Sequence, residues 1–220
     1  MYTSENGTLS VAPAIRLTQD GRKDFSMLRS ALPAFLCLFA LTGSALSANL
    51  ERKVEYFFVK GANLAEIHAD LQRRGPQIGG QGPRHPGATR MEFTTRLGYR
   101  QADGRCAISA VTVTLKATMI LPRLRQRGRL HEAVGRVWDA LAADIRRHEE
   151  EHVAIAHAHA TEMESAVKRL GRFRDCAAAE AAARKSSDRI LARHDRAQAR
   201  FDRNEAKGFE RRISRLIDAR

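Results

Sequence analysis

Two histidines stand four residues apart in Arg147-His148-Glu149-Glu150-Glu151-His152-Val153, with a glutamate directly after the first. On an α-helix that spacing puts both imidazoles one turn apart on one face. Each can then offer a nitrogen to a single metal ion. Glu149 falls where a carboxylate reaches a water beside that ion, so the pattern H-E-x-x-H serves zinc-assisted hydrolysis. Such a site needs a third protein ligand and one position left open for water. His159 does not supply it. Seven residues beyond His152, it lies about 10 Å further along a straight helix, and no glycine or proline intervenes to break the run. His157 points another way. The third ligand is therefore expected from the chain that folds back after Gly171, where His194, Asp202 and Glu205 are the candidates.

The elements that must position these groups can be read from periodicity. From Leu130 to Leu170 apolar residues recur at steps of three and four, which predicts one long amphipathic helix with Gly171 as its stop. His148 and His152 lie on its apolar stripe, whereas a solvated pair would lie on the polar face with Arg147 and Glu150. Upstream, Val54–Val59 is β-branched and aromatic and reads as a strand that Gly61 ends. Asn63 can cap a short helix from Leu64 to Arg73. Gly75 to Gly87 is loop. Arg90–Arg100 and Cys106–Leu121 alternate as strands around an Asp103-Gly104 turn, with Pro122 closing the second. The order predicts an α+β fold: a small antiparallel sheet packed on the long H-E-x-x-H helix, as in zincin-like peptidases. A second, charged helical segment spans residues 177–220. One face of it carries Ile190, Leu191, His194, Gln198 and Phe201, with Phe209 and Ile213 continuing the stripe.

Composition bounds the setting. The chain has 220 residues and a formal charge of +13, carried mostly by arginine, which favours anionic partners. Nucleic acid is not expected. Acidic residues interrupt the basic C-terminal segment, aromatics for stacking are few, and no recognised motif is present. Anionic envelope polymers or acidic membranes suit that segment better, and a solvated face laced with salt bridges suits it better still. Residues 1–48 read as an N-terminal extension and signal peptide: Met27-Leu28-Arg29 as a positive start, Ala31 to Leu41 as the apolar run, and small residues from Thr42 to Ala48 around the cleavage point. Either Met27 is the true start or the segment before it is a long polar lead. Residues 49–220 are then one exported domain, periplasmic or secreted, with no transmembrane anchor after cleavage. Cys37 leaves with the leader. Cys106 and Cys176 remain as an even pair in an oxidising compartment and are expected to form a disulfide.

From about Val54 to Gly208 the chain resembles the bacterial domain-of-unknown-function family 922, described as predicted secreted zinc-dependent proteases. The likeness runs through Gly75-Pro76, Cys106, Leu121-Pro122, Trp138, His148-Glu149-Glu150-Glu151-His152 and Cys176. It implies that His148 and His152 are metal ligands and that Glu149 is the catalytic carboxylate. The family pattern ends in Tyr-Asp-x-x-Thr-x-His-Gly. Here the matching stretch is Phe201-Asp202-Arg203-Asn204-Glu205-Ala206-Lys207-Gly208, which keeps the aspartate and the glycine and places Lys207 where the family has histidine. If that histidine is the family's third ligand, either Asp202 or Glu205 replaces it or the site is weakened.

The expectation is thus a periplasmic or secreted zinc metallopeptidase acting on peptide or protein substrates. Its alternative is a non-catalytic relative that binds metal or envelope polymer.

Overall fold

The computed structural model describes residues 47–77 and 84–218. Residues 1–46, which hold Cys37 and all but the last two residues of the leader stretch, and residues 78–83 of the Gly75–Gly87 loop lie outside the described residues. The elements follow in the order β1 (Asn49–Val59), α1 (Leu64–Arg74), β2 (Ala88–Ala102), β3 (Arg105–Leu124), a 3-10 turn (Arg127–Arg129), α2 (Glu132–Lys168), β4 (Arg172–Phe173), α3 (Cys176–Ala206) and α4 (Phe209–Asp218). The architecture is α+β, one small sheet with helices laid over it.

The sheet is mixed, which corrects the expected antiparallel arrangement. Its order is β1-β3-β2, with β4 pairing the start of β3. β2 runs antiparallel to β3, and β1 runs parallel to it from Asn49 opposite Thr114 to Val59 opposite Leu124. Parallel strands need a crossover between them. Here α1 and β2 together form that connection. The β2–β3 hairpin closes through Asp103 and Gly104, both left-handed at φ 52° and 68°, the backbone of a two-residue turn whose twist matches the strands.

Two further differences have local causes. Pro122 does not close β3, which continues to Leu124 with Pro122 opposite Phe57. β2 stops at Ala88 opposite Ile120, so beyond that point β3 has a neighbour on one side only, where a proline is tolerated. The alternation in β3 also changes parity between Ile108 and Val111. Tyr99 pairs Ile108 and Gly98 pairs Ala110, which leaves Ser109 as the extra residue of a β-bulge. From Val113 onward alternate residues through Leu121 are buried on the helix side.

Two helices cover that face. Phe93 and Leu115 of the sheet meet Ala156, Ala160 and Met163 of α2 and Ile190 of α3 in one core cluster. A second cluster joins Val59 to Ile67 and Leu71 of α1 and Trp138 of α2. The alanines of α2 let helix and sheet approach closely, while α3 lies along α2 by Ala179, Ala183, Ile190, His194 and Gln198. α2 begins at Glu132, with His131 Nδ1 accepting from the Ala133 N–H, and ends at Lys168. β4, unmarked by any sequence signal beyond two residues, follows.

Cys106 and Cys176 form the disulfide, with Cα atoms 5.1 Å apart across a separation of 70 residues. It ties the start of β3 to the first turn of α3. Cross-linking a loop of that length contributes about 4 kcal/mol, chiefly by restricting the unfolded chain. Reduction is expected to lower the urea midpoint accordingly; an unchanged midpoint in dithiothreitol would contradict this.

Asp70 joins α1 to the end of β1. Its buried carboxylate accepts the Lys60 backbone N–H at 2.9 Å, the Arg74 Nε–H at 3.0 Å and a bond from Arg73. Burial raises the carboxyl pKa, and the Lys60, Arg73 and Arg74 donors outweigh it, holding the group down at about 2. A depressed folded-state value gives stability that is complete above the unfolded value near pH 4. It is lost as pH falls toward 2. Discounted for the solvent around the two arginines, the effect is about 1–2 kcal/mol. The slope of stability against pH between roughly 4 and 2 is therefore expected to be shallower in Asp70→Asn than in the parent. Parallel slopes would show that Asp70 is not responsible.

Candidate metal centre

His148 and His152 project from the middle of α2 toward the C-terminal half of α3. There the buried face of α3 continues as His194, Gln198 and Asp202, each four residues after the last. Asp202 meets the two histidines. Its Oδ1 lies 3.0 Å from His152 Nε2 and 3.3 Å from His148 Nε2, and the two Nε2 atoms are 3.0 Å apart. Among the described residues, His148, His152 and Asp202 form the group whose ligand atoms can hold a metal ion. Donors at zinc distances in a tetrahedral set stand roughly 3.3–3.6 Å apart. The observed triangle needs only a slight opening to seat an ion. Two imidazole nitrogens and one carboxylate are also a donor set that zinc accepts. The residues therefore fit the metal that the spacing predicts.

The other two third-ligand candidates lie elsewhere. His194 stands one layer back, fully buried, with Nε2 against the Gln198 side chain at 2.9 Å and Nδ1 toward Asp195 at 3.1 Å. Burial, outweighing the pull of Asp195, takes its pKa down to about 4, so it is a neutral spacer. Glu205 faces the far nitrogen of His148, Nδ1, at 3.7 Å. Lys207, where the histidine of the family pattern would fall, is exposed at the C-cap of α3.

Each histidine is held from behind. Gln198 Oε1 accepts from His152 Nδ1, and Gln198 Nε2 donates to the His152 carbonyl at 3.0 Å. With a ring proton held at Nδ1, Nε2 is the nitrogen that would turn its lone pair to a bound metal, in place of its hydrogen bond to Asp202, and fixing that choice is the usual work of a supporting residue at a metal site. His148 is backed by Glu205, and Glu205 is itself fixed. It accepts from Arg147 and, at 3.1 Å, from Arg212 of α4. Both arginines also donate to buried Asp144. The Phe201 ring packs against both imidazoles, with centroids 4.9 and 5.0 Å away. The Asp202 carboxyl would rise on burial, but hydrogen bonds from His148 and His152 hold it far below the usual range, as a carboxylate.

Glu149 is not in the triangle. Buried beside it, the side chain shares a cavity of about 220 Å³ with His148 and Asp202. Thr89 Oγ1 donates to Glu149 Oε2 at 2.7 Å, which leaves the other oxygen for the cavity. Burial pushes its pKa up, against the bond from Thr89 and the nearby histidines. The backbone of Gly87 runs close enough that a Cβ there would stand 2.6 Å from Ile145 Cγ2 and 3.1 Å from Glu149 Oε1. A side chain at 87 would therefore crowd the carboxylate.

Gln198, Thr89, Arg212 and Gly87 carry no motif, and no spacing in the sequence marks them as site residues. One signal was available for Gln198. A polar residue on the inward stripe of α3, midway between His194 and Asp202, asks for a buried partner. Nothing local marks Thr89, which reaches Glu149 across 60 residues.

A family model described as "Bacterial protein of unknown function (DUF922)" matches residues 54–208. No curated protein matches the chain, and no solved structure does.

Proposed function

The chain belongs to the bacterial DUF922 family, and on that premise we propose that it is an exported zinc-dependent peptidase. The observation that carries this reading is the convergence of His148, His152 and Asp202 on one point, beside the buried Glu149. His148 and His152 would hold zinc through Nε2 and Asp202 through its carboxylate. Bound there, zinc would supply Lewis acidity, acidifying a water and polarising a carbonyl. Glu149 takes the proton of the attacking water and returns it to the departing amine. Thr89 keeps one oxygen of Glu149 occupied so that the other faces the cavity. Gln198 fixes the tautomer of His152, and Glu205, clamped by Arg147 and Arg212, steadies His148.

The export part of the reading is supported by the leader-like residues 27–48 and by the disulfide, which belongs to oxidising compartments. No helix among the described residues is long and apolar enough to cross a membrane. The basic C-terminal segment suits contact with anionic envelope polymers.

The test is hydrolysis of an unstructured protein such as casein by the purified mature chain. The expected result is cleavage that a chelator stops and added zinc restores. Zinc-loaded protein that cleaves no peptide bond would favour the non-catalytic, metal-holding alternative.

A further inference from the structure

We infer that the apolar cavity beside the metal centre is a specificity pocket for a large aliphatic or aromatic side chain of the peptide substrate. This rests on the peptidase reading above and names the class of peptide it would take. The cavity is about 480 Å³, within the roughly 300–1,000 Å³ of small-molecule sites. Its wall is built by α1, α2 and α4: Leu71, Trp138, Leu141 and Ile213 face into it, with Ile145 and Phe209.

Continuity with the metal centre identifies the occupant. Pro86, Ile145 and Phe209 line both this cavity and the smaller one that contains His148, Glu149 and Asp202. A peptide whose scissile carbonyl sits at the metal centre has a neighbouring side chain within reach of that shared wall. Polar groups at the cavity do not call for a charged guest. His68 and Gln72 bond each other at 2.9 Å, and Arg84 donates to the Gly75 carbonyl at 2.8 Å. What remains for a guest is hydrocarbon. Each carbon buried there is worth roughly fourfold in binding, so leucine should outbind alanine by tenfold or more.

Trp138, the one tryptophan of the chain, stands in this wall and reports on it. The experiment uses the zinc-loaded mature chain and two matched sets of probes. The first is a pair of peptides with leucine or alanine on the side of the scissile bond that is preferred. The second is N-acetyl-leucinamide against N-acetyl-alaninamide, read by Trp138 emission, which needs no catalysis. The expected results are a tenfold or larger preference for leucine in kcat/KM and a leucine-selective change in emission. Val137→Phe, which fills the cavity from α2, should abolish both while keeping the zinc content and melting temperature of the parent. Ile213→Ala, which enlarges it, should shift preference from leucine toward phenylalanine. The inference is overturned if Trp138 emission responds to both amides alike or to neither, or if Val137→Phe leaves the leucine preference intact. Leucine-selective emission without any hydrolysis would sink the peptidase reading and still uphold the pocket, so the two fail separately.

Discussion

Glu149→Gln is expected to keep its zinc and lose 10²–10⁴-fold or more in peptide hydrolysis, the usual worth of a general base. The variant is nearly isosteric, so the cavity and the Thr89 contact survive. Thr89 Oγ1 can donate to an amide oxygen as it donates to Glu149 Oε2 at 2.7 Å. Glu149 is outside the ligand triangle, so metal affinity has no reason to fall steeply. Only the capacity to accept and return a proton disappears. The loss should therefore fall on kcat, with KM little changed. A Gln variant as active as the parent would remove Glu149 from the reaction. One that lost its zinc would make Glu149 a ligand instead of a base.

Asp202→Ala carries the second large effect. On the proposed reading it deletes one of three zinc ligands and leaves two imidazoles facing the gap. The expected loss in zinc affinity exceeds the roughly 10–100-fold typical of supporting residues. Gln198→Ala supplies that comparison within the same protein. It frees the His152 Nδ1 proton and the His152 carbonyl, yet removes no ligand. Competition against a chromophoric chelator should rank parent, Gln198→Ala and Asp202→Ala in falling order. Equal affinities for Asp202→Ala and Gln198→Ala would place the third ligand elsewhere. Lys207 has no part in this ranking, because it is exposed beyond the end of the α3 face that carries Asp202.

The parts of this molecule that are periodic could be read without its coordinates. α2 and α3 repeat their buried residues every three or four positions, β3 alternates, and the Asp103-Gly104 turn joins two alternating runs. Those features are local, and a helix face or a two-residue turn is specified by neighbours in the chain. The direction of β1 is not local. Its alternation is the same whether β3 runs with it or against it, and only the route through α1 and β2 makes it parallel. The parity change at Ser109 left two frames for β3, and a bulge is the physical way to keep both.

The centre divides along the same line. His148, Glu149 and His152 lie on one helix within five residues, so their spacing describes their geometry. Asp202 was one of three candidates because it comes from another helix, and its choice depends on how α3 lies along α2. The deciding feature is position along the helices. His194, Gln198 and Asp202 share one face of α3, and along its seam with α2 Asp202 meets His148 and His152, Gln198 meets His152, and His194 lies beside His159 with ring centroids 5.6 Å apart. Glu205 reaches only the back of His148, since Arg147 and Arg212 hold it there.

Binding of one zinc ion by His148, His152 and Asp202 together underlies every role proposed for this site. It is tested most directly by metal analysis of the mature chain purified from an oxidising compartment, alongside Asp202→Ala and His152→Ala. One zinc per chain is expected in the parent and none after dialysis in either variant, with all three still folded by circular dichroism. A folded parent chain that takes up no zinc at saturating concentration, or an Asp202→Ala protein that holds a full equivalent through dialysis, would contradict it.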